Sequence, residues 1–265
     1  MINKAQMAII KKDILGITSN KRMLSVLIIV PLVMTVVLPC ALIIPILLSP
    51  ADSPDLVQLT ELLESANLNT GNNNQQILID LILNYILPLF FIMIPIMVSS
   101  VMASGSFVGE KEKKSLETLL YSPLQLKEIF SAKILASLLL SISVSVFSFI
   151  IMLAVIETIA FILTEALIIP NINWFITMLL VSPAASLIAI SLIVRSSAKA
   201  QSSEEAQQTS LFLILPIILL IVGQFNGAMM LGAHIFLILG AVLAIIAAFI
   251  FKSSFGKFKY ETLLR

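Results

Sequence analysis

Few residues in this chain have the chemistry of a catalytic or metal-binding site. The 265 residues include one histidine, His234, and one cysteine, Cys40, which lie in different apolar stretches. A hydrolytic or lipid-modifying site needs a clustered nucleophile and base, or metal ligands, and a single cysteine supports neither a disulfide framework nor a cysteine metal site. We therefore predict no catalytic residues, no metal site and no enzyme activity on this chain.

A nucleotide-binding loop is also missing from the sequence. Such a loop has the pattern Gly-x4-Gly-Lys-Ser/Thr, because its backbone amides and its lysine hold the phosphates. The nearest spacing, Gly227 to Gly232, is followed by Ala233 and His234 in an apolar stretch. No lysine is available there, so we expect any ATP that drives this protein to be bound by another polypeptide.

The densest group of charges lies in residues 109–133. Acidic and basic residues alternate after Gly109, and Pro123 ends the first of two short helices that the spacing predicts. The segment is either a solvated connection or a docking element, because a charged helix with an apolar stripe suits a groove on a protein. The apolar positions are Leu116, Leu119 and Leu120 in the first helix, and Leu126, Ile129 and Phe130 in the second.

Small polar residues form a stripe in an otherwise apolar helix. Ser137, Ser141, Ser145 and Ser148 recur at helical spacing. They could line a path for substrate, or they could let neighbouring helices pack closely, and both interpretations stay open. The same alternatives apply to four further polar residues in apolar stretches: Asn84, Tyr85, Ser182 and Ser186.

Membrane-spanning helices must position these residues. The chain is 59% hydrophobic and only 12% charged, whereas soluble domains are about 25% charged. About 20 apolar residues cross the hydrocarbon core of a bilayer, and prolines are expected to bend several of the spans. We predict an all-α membrane protein, with a six-span domain over residues 23–265 and spans at about 23–48, 79–107, 134–156, 173–194, 209–224 and 233–251.

The charge distribution orients these spans. With six spans, all 16 lysines and arginines fall on the side that holds both termini, and the charged residues on the opposite side are all acidic. The positive-inside rule places the basic side, called the inner side below, in the cytoplasm. We therefore predict a multi-pass protein of the cell membrane with both termini cytoplasmic.

Residues 1–22 are predicted to form an amphipathic helix in the membrane interface before span 1. Met7, Ile10, Ile14 and Ile17 recur at helical spacing, and lysines lie elsewhere around the helix. Such a helix is either an anchor that orients the protein or a lever that moves with a cytoplasmic partner.

Residues 110–133 resemble the signature of the ABC type-2 exporter permeases. In that family, span 2 runs into alternating glutamates and basic residues, then Gly-Thr-Leu-Glu-x-Leu-Leu-x-x-Pro, and a Gly-Lys pair enters span 3. This chain has Ser115 where the Gly-Thr pair begins and Ala132 where glycine is usual. The span layout is similar over essentially the whole chain, and residues 196–208 resemble the corresponding loop of the sodium- and drug-export branch. The matching positions are Glu110, Glu112, Leu116, Glu117, Leu119, Leu120, Pro123, Glu128, Ile129 and Lys133.

The resemblance implies that the segment between spans 2 and 3 is a cytoplasmic coupling helix, which sits in a cleft of a separate ATP-binding subunit. Its glutamates would meet basic or polar groups of that subunit, and its leucines would make the apolar contact. The implied coupling residues are Glu110, Glu112, Leu116, Glu117, Leu119, Leu120 and Pro123.

The resemblance also implies a set of partners and a transport function. The chain would be one permease of a homo- or heterodimer in the lipid bilayer that exports an ion, drug or peptide, and cytoplasmic ABC ATPase subunits would bind ATP and magnesium. No cofactor on this chain and no nucleic-acid partner are expected. The alternatives are a membrane scaffold or immunity protein, or an ion-coupled secondary transporter, although such transporters usually carry ionisable residues within their spans.

Overall fold

The computed structural model describes residues 3–49, 74–112, 124–164, 171–197, 199–225 and 232–255. The secondary structure of these residues is helical. Six stretches are long and apolar enough to cross a membrane, which confirms the predicted all-α class with six spans. Spans 1 to 6 are Lys21–Leu48, Leu78–Glu112, Leu126–Ile159, Ile172–Ser196, Ser203–Gln224 and Ala233–Lys252.

Two short helices accompany the spans on the inner side. The N-terminal helix is Lys4–Thr18, and the side chain of Asn20 caps the start of span 1 by accepting a hydrogen bond from the backbone N–H of Arg22 at 3.1 Å. The second, called the inner helix below, is Ser203–Gln208, which forms the first part of the stretch given above as span 5. It precedes the main helix of span 5, Leu211–Phe225.

Prolines interrupt spans 1, 2 and 4 in the same way. In each span a π-helical turn is followed by a proline at the second position of the next helix: Pro39, Pro88 and Pro183. Proline has no N–H and its ring displaces the carbonyl four residues earlier, so the preceding turn widens. The helical pieces are Lys21–Leu32, Val33–Val37 (π) and Leu38–Leu48; Asn74–Leu81, Ile82–Ile86 (π), Leu87–Phe91 and Met93–Glu112; Ile172–Ile176, Thr177–Val181 (π) and Ser182–Ser196.

Spans 3 and 6 are single uninterrupted helices, Leu126–Thr164 and Ala233–Phe255. The prediction of a separate second amphipathic helix between spans 2 and 3 is therefore wrong, because its residues belong to the long helix of span 3. Its apolar residues Ile129 and Phe130 are buried in the first turns of span 3, because no proline or glycine occurs between Leu126 and Thr164 to stop the helix.

Span 2 lies at the centre of the bundle. Of its most apolar stretch, 83% is buried, against 61% for span 4 and 28% or less for the other spans. The outer spans expose large apolar side chains, such as Phe212, Leu219 and Phe249, which are 71% to 75% exposed. These side chains face the hydrocarbon of a bilayer at no energetic cost.

The N-terminal helix packs on the inner parts of spans 2 and 3 with a face different from the one predicted. Ile10 and Ile17 are buried as expected, but Met7 is 54% exposed and Ile9 is buried in its place. The reason is that Asp13 also lies on the buried face, so the helix is rotated towards the side that carries this carboxylate.

Two glycines in span 2 let other elements approach closely. A Cβ atom at Gly105 would lie 3.0 Å from Cδ1 of Ile17 and 3.0 Å from Sδ of Met23, and a Cβ atom at Gly109 would lie 3.3 Å from Oγ of Ser203. The Gly-x-x-x-Gly pair therefore serves two contacts, one with the N-terminal helix and span 1 and one with the inner helix.

Replacing Gly105 with valine should lower the free energy of unfolding by about 1–3 kcal/mol, because the added atoms overpack this contact. Gly16 is the control, since nothing lies within 4 Å of a Cβ atom added there. Gly16→Ala should raise the stability by about 0.4–1 kcal/mol by restricting the unfolded chain. Thermal unfolding in detergent micelles measures both, and an undiminished stability of Gly105→Val would contradict the close approach.

Candidate functional site

The ammonium group of Lys133 is buried inside the bundle. The residue lies two helical turns into span 3 and is 1% exposed. Its Nζ donates to the backbone oxygen of Ser106 at 2.7 Å, to Oγ of Ser106 at 3.1 Å and to Oε2 of Glu110 at 2.7 Å. It also lies 3.5 Å from Oδ2 of Asp13 and 5.5 Å from the centre of the Phe107 ring. A lysine so enclosed stays charged only if its partners replace water.

These partners come from three elements of the fold. Ser106 and Glu110 are four residues apart on one face of span 2, and Asp13 reaches the same point from the N-terminal helix. Oγ of Ser106 donates to Oδ2 of Asp13 at 2.5 Å, and the half-exposed Lys12 forms an ion pair with Oε1 of Glu110. Two ammonium groups thus balance two carboxylates in what we call the charge network: Lys12, Asp13, Ser106, Glu110 and Lys133.

Burial dominates the electrostatics of Asp13. It raises the pKa of the Asp13 carboxyl group above its ordinary value, although the charge of Lys133 and the hydrogen bond from Ser106 both act to lower it. The Asp13 carboxyl group therefore takes up a proton at a higher pH than a solvated aspartate does.

A second set of polar contacts holds the inner helix against span 2. Glu112 accepts hydrogen bonds from the backbone N–H and from Oγ of Ser203, each at 3.1 Å, and Nε2 of Gln207 donates to Oγ of Ser104 at 3.0 Å. Glu112 lies at the N-terminal end of the inner helix, where a carboxylate is favoured by the unpaired amides and the helix dipole.

Residues of both sets of contacts line a cavity of about 540 Å³. Asp13 and Glu110 of the charge network lie on one side of it, and Glu204 and Gln207 of the inner helix lie on the other. An exposed ion pair between Arg22 and Glu204, 3.0 Å long, also borders this space. The cavity is thus a polar space between the N-terminal helix, the start of span 1, the end of span 2 and the inner helix.

The structure pairs two of the predicted coupling residues within the chain. Glu110 binds Lys12 and Lys133, and Glu112 binds Ser203, whereas the family resemblance implied that both glutamates meet groups of an ATP-binding subunit. Spacing along the sequence could not pair Glu110 with Lys12, because the two residues are 98 positions apart. The one feature of the sequence that indicated a buried ion pair was Lys133, a charged residue at the start of an apolar run. The other predicted coupling residues lie outside the described residues: Leu116, Glu117, Leu119, Leu120 and Pro123.

The serine stripe of span 3 faces neighbouring helices of the same chain. Oγ of Ser141 donates to the backbone oxygen of Pro95 at 2.9 Å and lies 2.8 Å from Oγ of Ser186, so this serine joins spans 2, 3 and 4. Ser137 donates to the backbone oxygen of Lys133 at 3.0 Å. This arrangement favours close packing as their role here, and a role in a substrate path stays a prediction. Each of the six predicted serines is at most 3% exposed: Ser137, Ser141, Ser145, Ser148, Ser182 and Ser186.

Asn84 joins the outer ends of spans 2 and 4. Its backbone oxygen, which Pro88 releases from the helix ladder, accepts a hydrogen bond from Nδ2 of Asn173 at 2.8 Å. Its side chain accepts from the backbone N–H of Asn171 at 2.9 Å and donates to Asp80 at 2.6 Å. The neighbouring residue, Tyr85, is partly buried.

Trp174 is buried between spans rather than exposed at the outer surface, where tryptophans commonly lie in membrane proteins. The side chain is 0% exposed, its Nε1 donates to the backbone oxygen of Leu83 at 3.0 Å, and its ring contacts those of Phe91 and Phe149. The π-helical turn in span 2 frees the Leu83 carbonyl for this bond, which sequence periodicity does not predict.

Within the described part of the chain, no group of three or more metal-binding side chains forms.

Comparison with known proteins identifies one family. Residues 7–237 match the family described as ABC-2 family transporter protein. No curated protein and no solved structure matches the chain. The matched region includes the whole charge network, from Lys12 to Lys133.

Asp13→Asn should change how the stability of the protein depends on pH. Because the pKa of Asp13 is raised by folding, this group stabilises the folded chain at low pH, and that contribution is lost as the pH rises through the raised pKa. Thermal unfolding in detergent between about pH 4 and pH 8 should show this loss in the parent protein and not in Asp13→Asn. Parallel pH profiles of the two proteins would contradict the assignment, and the exposed Glu204→Gln variant controls for surface charge.

Ser141→Ala should lower the free energy of unfolding by about 0.5–1.5 kcal/mol, because it removes a buried hydrogen bond. Ser145 lies one turn further along the same stripe, and its hydroxyl has no partner among the described residues. Ser145→Ala should therefore have a clearly smaller effect in the same unfolding assay. Equal effects of the two substitutions would argue against the bonding of Ser141 to Pro95 and Ser186.

Proposed function

The chain belongs to the ABC-2 family of transporter proteins, and we propose that it is the permease subunit of an ATP-driven exporter. We further propose that it lies in the cell membrane with both termini in the cytoplasm. A separate cytoplasmic ABC ATPase binds ATP and magnesium and supplies the energy, and the cargo is an ion, a drug or a peptide.

The observation that carries this proposal is the way in which the inner ends of spans 2 and 3 are tied together. The ion pair between Glu110 and Lys133, 2.7 Å long, lies close to both ends of the connection between these spans. A motion of an ATPase reaches the bundle only through an element that is held firmly where it joins the spans. The pair provides such an attachment, and it supports coupling through the residues between Glu112 and Leu124.

Because Glu110 and Glu112 are paired within the chain, fewer residues of the connecting segment are left to contact the ATPase. The contact proposed from the family resemblance therefore falls on the middle of the connecting segment, where Glu117 supplies charge and Leu116, Leu119 and Leu120 supply apolar surface.

The packing of the polar residues supports a path formed by two permeases. The serines of spans 3 and 4 are buried between helices of one chain, and Ser141 and Ser186 are bonded to each other. A substrate path through the middle of a single chain would have to open these contacts. A path between this chain and a second permease, of the same or a related sequence, leaves them closed.

Glu117→Lys and Leu119→Glu should each uncouple ATP hydrolysis from transport without preventing insertion into the membrane. The permease is first purified from native membranes together with its ATPase and reconstituted in liposomes. Hydrolysis and transport are then compared between parent and variants. Lys199→Glu is the matched control, because it reverses an exposed charge on the same side but outside the segment.

Coupled hydrolysis that is unchanged in both variants would contradict the docking role of the segment. Purification without any ATPase would contradict the proposed function itself and favour the scaffold interpretation.

A further inference from the structure

The N-terminal helix is held very differently on its two sides. Towards span 3 it meets the buried charge network, and towards the inner helix it borders the polar cavity. We infer that the N-terminal helix moves as one body with the inner ends of spans 2 and 3, and that Lys133 is the positioning residue that holds these three elements together.

The side towards span 3 buries apolar side chains next to a cavity of about 410 Å³ that Gln6 and Ser131 help to line. Ile9 and Ile10 belong to the same buried cluster as Ile129 and Ala132 of span 3. Lys133, within this contact, is 1% exposed. Sliding the helix along span 3 would therefore disturb both apolar packing and charge pairing.

The charge network resists the removal of any one element. The ammonium of Lys133 is shared by Asp13 of the N-terminal helix and by Ser106 and Glu110 of span 2. If the N-terminal helix left, the carboxylate of Asp13 would lose its buried counter-charge, and if span 3 left, two carboxylates would face each other. Buried charges without partners are strongly unfavourable, so the three elements are expected to move together.

The opposite side of the helix allows movement. The cavity of about 540 Å³ extends from Gly16 and Asn20 to Glu204 and Gln207. The side-chain ion pair across this side, Arg22 with Glu204, is exposed on both residues, and exposed pairs contribute little stability. Because Glu112 and Gln207 bond the inner helix to span 2, this helix travels with the body, and the movement is expected relative to span 6, which packs on span 4 through Ala247.

This inference selects the lever interpretation of the N-terminal helix over the anchor interpretation. It rests on the proposed function only for the force that drives the movement, because the network itself exists without an ATPase. The two parts can therefore be tested separately.

The first experiment measures the attachment in the full-length chain, reconstituted in liposomes without nucleotide. Cys40 is replaced by alanine, and spin labels are placed at Lys11→Cys and Lys127→Cys, two exposed positions on the N-terminal helix and span 3. Pulsed electron spin resonance should give one narrow distance distribution. Lys133→Met should broaden it, and Ser137→Ala, which changes a buried neighbour of Lys133, should not.

A neutral variant separates attachment from misfolding. Lys133→Met combined with Asp13→Asn and Glu110→Gln leaves no buried charge at this point, because the remaining ammonium group of Lys12 is half-exposed, so we expect it to fold even if Lys133→Met alone does not. The proposal requires a broadened distribution in this triple variant as well. A distribution as narrow as that of the parent would overturn it, because apolar packing alone would then hold the helix.

The second experiment follows the parent protein through the ATP cycle, in complex with the ATPase from native membranes. On addition of ATP and vanadate, the distance from Lys11 to Lys127 should stay constant, while the distance from Lys11 to a label at the exposed Lys252 of span 6 should change. A change between Lys11 and Lys127 would overturn the proposal. If neither distance changes, the helix is not a lever, which also overturns it; loss of ATP binding by the complex would instead identify a failure of the proposed function.

Discussion

An ammonium group that is 1% exposed has no water to hydrate it, so the protein must surround it with oxygen atoms. Lys133 obtains these atoms from the N-terminal helix and from span 2, and no single element of the fold could supply them all. The need to neutralise this charge therefore determines how the inner half of the bundle is arranged. It explains why the N-terminal helix turns Asp13 rather than Met7 towards the protein.

The outer half of the bundle is held by a different means, in which the prolines have a central part. Pro88 cannot donate to the helix ladder of span 2, and the widened turn before it exposes the carbonyl groups of Leu83 and Asn84. Trp174 and Asn173 of span 4 donate to these two carbonyls. A feature that sequence reasoning predicts only as a kink is thus a specific attachment between two spans.

The elements of this fold could be predicted from sequence, and their pairing could not. Length and apolarity determine a span, so the six spans and the helical N-terminal segment follow from local composition. The environment of Glu110 depends on Lys12 and Lys133, which lie far from it along the chain, and the burial of Trp174 depends on a backbone turn in another span. The family resemblance implied that Glu110 meets groups of an ATP-binding subunit, whereas within the chain its carboxylate pairs with Lys12 and with the buried Lys133.

The chain belongs to a transporter family, and the two halves of its bundle are held together by different contacts. The spans are joined by hydrogen bonds and small-residue contacts, as at Ser141 and Asn84, and on the inner side two ammonium groups are paired with two carboxylates. The inner side thus combines a paired charge network with an adjacent cavity, and this is the part of the chain on which the ATP-binding partner that we propose would act.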